Sequence, residues 1–119
     1  MAPPTGMSLI PPIARIAGIK DIPVGGAMVF AYPEPADACL LVRPASGSFL
    51  AYSQKCTHLS CAVRPRVSEG LMVCPCHEGL FELQSGRPLA GPPRRPLARI
   101  RLDIRSNSIY AIDVEPRTV

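Results

Sequence analysis

Four of the five cysteines and both histidines of this chain lie between Cys56 and His77. They fall in two short stretches, Cys56-Thr57-His58-Leu59-Ser60-Cys61 and Cys74-Pro75-Cys76-His77-Glu78-Gly79. Any fold for this chain has to bring two loops together around these thiols and imidazoles. Thiolates suit iron and zinc, and imidazole suits both. Two loops that each offer Cys and His can therefore grip a metal centre from opposite sides. The residues alone leave open which four of the six groups bind metal. A scaffold of disulfides is a second reading. A Cys–His nucleophile is set aside, because no Gly-framed nucleophile turn and no orienting Asn or Asp accompanies the pair. Cys39 stands apart in the apolar run 38–42 and reads as a small buried hydrophobe.

The rest of the sequence says what carries those loops. Fifteen prolines and nine glycines in 119 residues argue against long helices. Short apolar or β-prone runs appear at Ile13–Ile16, Met28–Tyr32, Ala38–Arg43 and Ser48–Ser53, separated by Gly25-Gly26, Pro33, Pro35 and Ser46-Gly47. Leu71–Cys74 and Leu80–Leu83 flank the second Cys/His stretch as further strands. From Arg99 to Arg105, Ile100, Leu102 and Ile104 alternate with charged residues, the period of a strand with one face in the core. Ser106-Asn107 turns the chain, and Tyr110, Ile112 and Val114 alternate again, which predicts a closing hairpin with those three facing inward. The fold class is all-β. One domain spans 1–119: an arm at 1–12, a β base formed by 13–53 and 98–116, and a loop-rich insertion at 54–97.

Composition narrows the function. The chain is 47% hydrophobic and 18% charged, enough for a core. A domain of this size is marginal, and a metal or cross-link would help it. No run approaches the roughly 18 apolar residues of a spanning helix. The first residues lack the pattern of a secretion signal. The net charge of +4 comes with only 5% aromatic residues and no Trp, so a nucleic-acid partner is excluded. Charge alone reads as a solvated face, and docking on an acidic protein is its functional alternative.

The pattern C-T-H-L-x-C followed by C-P-C-H resembles the two cluster loops of Rieske iron–sulfur proteins, specifically the respiratory kind of cytochrome bc and arsenite oxidase complexes. The resemblance implies a Rieske-like fold of small antiparallel sheets with a loop-rich cluster-binding subdomain. It assigns Cys56 and Cys74 to one iron of a [2Fe–2S] cluster and His58 and His77 to the other. The remaining pair, Cys61 and Cys76, is then a disulfide tying the loops. Rieske ferredoxins and oxygenases lack that second pair. Gly86 resembles the family's turn after the second loop. Gly91-Pro92-Pro93 with Pro96-Leu97 is similar to the proline loop that covers the cluster. Two neutral imidazoles in place of thiolates raise the potential, to roughly −150 to +300 mV against about −400 mV for all-Cys plant-type centres.

Departures from that pattern are informative. High-potential quinol-oxidising members carry a Ser two residues after the second His and a Tyr two further on, both hydrogen-bond donors to sulfur. Here those positions are Gly79 and Phe81. Missing donors lower the potential. Glu78 pushes the same way, and Arg64, Arg66, Arg87, Arg94 and Arg95 push upward where they lie near the cluster. Ser60, where many relatives have Gly, reads as tolerated. Quinol-oxidising members also carry a transmembrane helix and hinge that this chain reads without. The expectation is one-electron transfer by a small relay subunit docked on a larger redox subunit, respiratory or metalloenzyme and in some cases quinone-linked, with Leu59, Leu80 and the proline loop at the docking tip. A soluble ferredoxin feeding an oxygenase and a structural zinc module are the alternatives. The compartment stays open between cytoplasm and export with a partner.

Overall fold

A computed structural model describes residues 12–55, 61–76, 78–91, 93 and 95–115. Ten strands form two antiparallel sheets, and the helical content among the described residues is two three-residue 3-10 turns. The larger sheet contains β1 (Ala14–Gly18), β2 (Ala27–Ala31), β3 (Ala38–Ala45), β4 (Ser48–Ser53), β9 (Arg99–Arg105) and β10 (Ser108–Glu115), in the order β1-β10-β9-β4-β3-β2. The smaller sheet runs β5 (Arg64–Arg66), β6 (Leu71–Cys74), β7 (Gly79–Glu82), β8 (Pro88–Ala90) in sequence order.

β3 explains how the two sheets share a core. Its apolar run Cys39-Leu40-Leu41-Val42 is buried on both faces, as a continuous apolar strand demands. Cys39 and Leu41 join Ile22, Tyr32, Ala51, Ile100, Ile109 and Ala111 in a core on one face of the large sheet. Leu40 and Val42 join Leu50, Tyr52, Val63, Met72, Phe81 and Leu83 in a second core, which lies between the sheets. Both cores therefore hang on one strand, with alternate residues pointing opposite ways. Arg43, next in β3, reaches back across the 3-10 turn Ile19–Asp21. Its Nη1 donates to the carbonyls of Ile19 (3.2 Å) and Ile22 (2.8 Å), and its Nε and Nη2 donate to that of Ser46. The guanidinium also lies 4.9 Å from the centre of the Phe49 ring.

The predicted closing hairpin is present. Ser106 and Asn107 both have positive φ (49° and 69°), the conformation a two-residue hairpin turn needs. The predicted face of its second strand is corrected. Ile109 and Ala111 are buried, and Tyr110 and Ile112 are not. The register steps from Ala111↔Leu102 to Asp113↔Arg101, so Ile112 is an extra residue in a bulge. The bulge shifts the phase by one, which returns Val114 to the side of Ile109 and Ala111. Ile104, expected inward, is 43% exposed because the hairpin tip extends past the core. The region 54–96, expected to hold two strands among loops, holds four; β5 and β8 are additional. Both contain a proline, Pro65 and Pro88, and both are edges of the small sheet, where a missing N–H costs no ladder bond. The strand expected at Leu80–Leu83 begins one residue earlier, at Gly79, and Leu83 lies in the turn that follows.

Candidate metal centre

The necks of two loops lie at one end of the small sheet. The first opens at Gln54 and Lys55 and closes at Ala62 and Val63. Lys55 bridges Ala62, the Val63 N–H donates to the Gln54 carbonyl (2.8 Å), and the Gln54 side-chain amide donates to the Val63 carbonyl (3.2 Å). The second is the β6–β7 turn, whose neck is the pair Cys74↔Gly79. A disulfide between Cys61 and Cys76, with Cα atoms 6.3 Å apart, joins the two loops. This is the pairing implied by the family resemblance.

With Cys61 and Cys76 bonded, the described free cysteines are Cys39 and Cys74, both buried. They differ in what surrounds them. Cys39 sits in the core distant in sequence from the loops, and its Sγ donates to the carbonyls of Tyr32 (3.3 Å) and Asp37 (3.5 Å). Burial pushes its pKa up to about 11, so it is an inert core thiol. Cys74 lies at the loop neck, on the inward face of β6 with Met72. The residue is 3% exposed and next to the joined loops. The other three proposed ligands, Cys56, His58 and His77, lie outside the described residues, as do Leu59, Ser60 and Arg94. Among the described residues, no group of three His, Cys, Asp or Glu side chains meets as a metal site.

The cover over this end is closely packed. Gly91 (φ 86°) lies against the second loop so tightly that a Cβ there would fall 2.8 Å from Gly79 Cα and 3.1 Å from the Glu78 carbonyl oxygen. Pro93 is buried, and its ring occupies the space a Gly79 side chain would take: a Cβ on Gly79 would lie 2.8 Å from Pro93 Cγ and 3.4 Å from Cys74 Cβ. Gly86 (φ 76°) makes the turn after β7 and presses on the ring of Tyr52, with 2.7 Å left for a Cβ. The Leu97 N–H donates to the Gly86 carbonyl at 2.9 Å and closes the segment. The family resemblance marked Gly86 as a turn and Gly91-Pro92-Pro93 with Pro96-Leu97 as a cover. It missed the direct contact of Gly79 with Gly91, for which no sequence signal exists because the residues meet only in the tertiary fold.

Local charge is more balanced than the count of arginines implied. Arg66 pairs with Glu69 (3.7 Å) and Arg87 with Glu82 (3.6 Å), both at the surface. Arg64 and Arg95 are exposed. Glu78 is an exposed non-glycine residue with φ 57° at the loop tip. Phe81, at the position of the missing Tyr, is fully buried in the core between the sheets.

Two thiol- and imidazole-bearing loops, stapled together, necked by β-bridges and covered by a glycine–proline segment, define a small β domain built around a metal cluster. The model of the Rieske [2Fe–2S] domain matches residues 15–101, and the chain belongs to that family. Its cofactor is thus a [2Fe–2S] cluster, and the buried free thiol of Cys74 is of a chemistry that suits iron. Among curated relatives, the chain is similar to a carotenoid phi-ring synthase of Chlorobaculum tepidum, 40% identical over 86 residues that cover 72% of this chain and 12% of the relative. It is also similar to the cytochrome b6-f complex iron-sulfur subunit of the same organism, 28% identical over 109 residues that cover 85% of this chain and 58% of the relative. The chain thus spans less than two thirds of these relatives' lengths. Among solved structures, the soluble domain of Rieske protein II from Sulfolobus acidocaldarius superposes with a TM-score of 0.77 at 22% identity, covering 87% of this chain and 78% of that one. That likeness shows the fold.

Proposed function

We propose that this chain moves one electron at a time as a small relay subunit of a larger respiratory or metalloenzyme oxidoreductase. Cys56 and Cys74 hold one iron of the cluster, and His58 and His77 hold the other. When bound, the cluster supplies a reversible one-electron couple. The chain's own residues set the conditions for it. Cys74 offers its thiolate from a buried strand face. The Cys61–Cys76 staple keeps the two loops at a fixed separation, and buried Pro93 packs over Gly79 at the end of the second loop. Residues 54–97 act as the cluster-binding subdomain and the remainder as its base.

The observation that carries this reading is the disulfide between the loops, which separates a relay subunit from the ferredoxin pattern that lacks the second cysteine pair. The similarity to a subunit of a cytochrome b6-f complex supports it. Docking is proposed at the tip, around Leu59, half-buried Leu80 and the proline loop, with Leu89 on β8 (47% exposed) extending the apolar surface. Gly79 and Phe81 supply no hydroxyl to the cluster, so its midpoint lies below that of relatives with Ser and Tyr there. No described helix is long and apolar enough to cross a membrane.

A potential-poised EPR titration of the anaerobically purified protein, with iron, sulfide and zinc analysis, tests the proposal. The expected result is a rhombic signal on reduction, with average g below that of an all-Cys cluster. Zinc without iron and sulfide would replace electron transfer with a structural role.

A further inference from the structure

We infer that β2 is a strand-addition surface whose occupant is the β2 of a second copy of this chain, paired antiparallel across a twofold axis at Val29. The sheet edges are β1 and β2 in the large sheet and β5 and β8 in the small one. An open edge offers unpaired N–H and C=O groups to any other strand, and proteins blunt it with charge, proline or a bulge. Three of these edges carry such devices. β1 has exposed Arg15 and a bulge between Arg15 and Ala17. β5 reads Arg64-Pro65-Arg66, and β8 begins with Pro88. β2, Ala27-Met28-Val29-Phe30-Ala31, has neither charge nor proline, and its register against β3 is unbroken. Val29 is 58% exposed, and Val24, in the turn before the strand, is 56% exposed.

The ladder to β3 shows which backbone groups are free. At one end the Arg43 N–H donates to the Gly26 carbonyl (3.0 Å), and at the other the Tyr32 N–H donates to the Asp37 carbonyl (3.0 Å). Hydrogen-bonded residues alternate along an antiparallel strand. Gly26, Met28, Phe30 and Tyr32 therefore face β3, and Ala27, Val29 and Ala31 turn both N–H and C=O outward. Those three are also the exposed residues of the strand, and among the described residues no strand lies beyond them. The outward set is its own complement. A twofold axis at Val29 sets Val29 opposite Val29 and Ala27 opposite Ala31 of the second copy. Every outward N–H then meets an outward carbonyl, as an isologous contact requires. Charge favours the same occupant. Residues 22–33 hold no Asp, Glu, Lys or Arg, so two copies of a chain with net charge +4 meet here without like charges opposite each other.

Sedimentation of the full, cluster-loaded chain over a concentration series tests the pairing, and cysteine cross-linking reads its register. The wild type is expected to pass from monomer to dimer as concentration rises. Val29→Pro removes an outward N–H and leaves the bonds to β3 in place. Val29→Lys sets two ammonium groups opposite each other. Each is expected to raise the dimer Kd about tenfold or more. Ile104→Lys adds the same charge at another exposed apolar residue of the large sheet and should change Kd by less than about twofold. Under diamide, Val29→Cys should link to itself, because opposed Cα atoms in such a pair lie about 5.5 Å apart, within disulfide reach. Ala27→Cys should link to Ala31→Cys in a mixture and not to itself, where the separation is about 14 Å. Wild type treated likewise is the control. Should Val29→Pro not fold, Val29→Lys and the cross-links decide. A wild type that stays monomeric at every concentration would overturn the proposal and leave the edge to a strand of another protein. A dimer unmoved by Val29→Lys, or Ala27→Cys linking to itself, would equally defeat it by placing the contact elsewhere.

Discussion

The two sheets are held together by different means. The large sheet has strands of five to eight residues and a core on each side of β3. Arg43 fastens its one 3-10 turn with a guanidinium shared among three carbonyls. The small sheet has strands of three or four residues, two of them proline-bearing edges. Strands that short cannot sustain a sheet by ladder and area alone. The small sheet relies on its covering partner for a core and on local staples: the disulfide, the Gly86–Tyr52 contact and the Gly79–Gly91 contact. A catalytic or redox loop region gains position from such staples without needing size, and it becomes sensitive to single changes.

The sharpest way to break this contrast is at the face the sheets share. Phe81→Ala removes a fully buried ring from the core between them and is expected to cost about 3–5 kcal/mol in denaturant unfolding. If Phe81→Ala costs under about 1 kcal/mol, the small sheet does not depend on that core. Next in size is the staple. Cys61→Ser/Cys76→Ser opens a link across 15 residues and is expected to cost about 3 kcal/mol on the chain-entropy scale. Hydrogen exchange should show β6 and β7 losing protection first, while β9 and β10 keep theirs. Equal loss in both sheets would contradict a locally acting staple.

Arg43→Ala tests the base in isolation. Charge-assisted bonds to carbonyls put its cost at about 2 kcal/mol, with the cluster's potential unchanged. Arg43→Lys should recover little of this, because an ammonium does not reproduce the planar fork. The smallest effect comes from Tyr52. Its ring is fully buried, and its hydroxyl has no hydrogen-bond partner among the described residues. Tyr52→Phe is expected to raise stability by about 1 kcal/mol.

Tyr52 also sets an alkaline limit. Burial pushes its pKa up to about 12, partly offset by Arg99, and burial raises that of Cys39 to about 11. Both groups keep their protons longer folded than unfolded, where values are about 10 for Tyr and about 8.5 for Cys. Their contribution is whole below those unfolded values and is lost as pH rises through about 11 and then about 12. Thermal unfolding across that range should therefore decline in two stages, with Tyr52→Phe flattening the upper one.

Much of this architecture was legible in the sequence, and the failures have physical causes. The β9–β10 hairpin could be read because Ser106-Asn107 tolerates positive φ between two alternating runs. β4 and β6 fell at Ser48–Ser53 and Leu71–Cys74 as their composition predicted. The inward face of β10 could not be read, because a bulge at Ile112 changes the phase without any Gly to announce it. β5 and β8 escaped because proline counts against a strand, and only the finished sheet reveals that both are edges. At the site, the motifs pointed to the Cys61–Cys76 pair and to the cover only through the family resemblance they carry. They did not show that Gly79 is bare because Pro93 stands where its side chain would go.

One feature of the base bears on how the molecule answers a mechanical load. Residues 54–97 leave the large sheet after β4 and return before β9, and the two strands meet there at Tyr52↔Arg99, beside the bond from the Ser53 N–H to the Ala98 carbonyl (2.8 Å). The small sheet is thus suspended from a mouth of neighbouring strands. A pull on the end of the small sheet opens that mouth one hydrogen bond at a time, as a zipper does. The same pull along the strands would load the Tyr52–Arg99 pairing and the Ser53–Ala98 bond together. The direction of release therefore decides how much force the cluster end of the domain withstands.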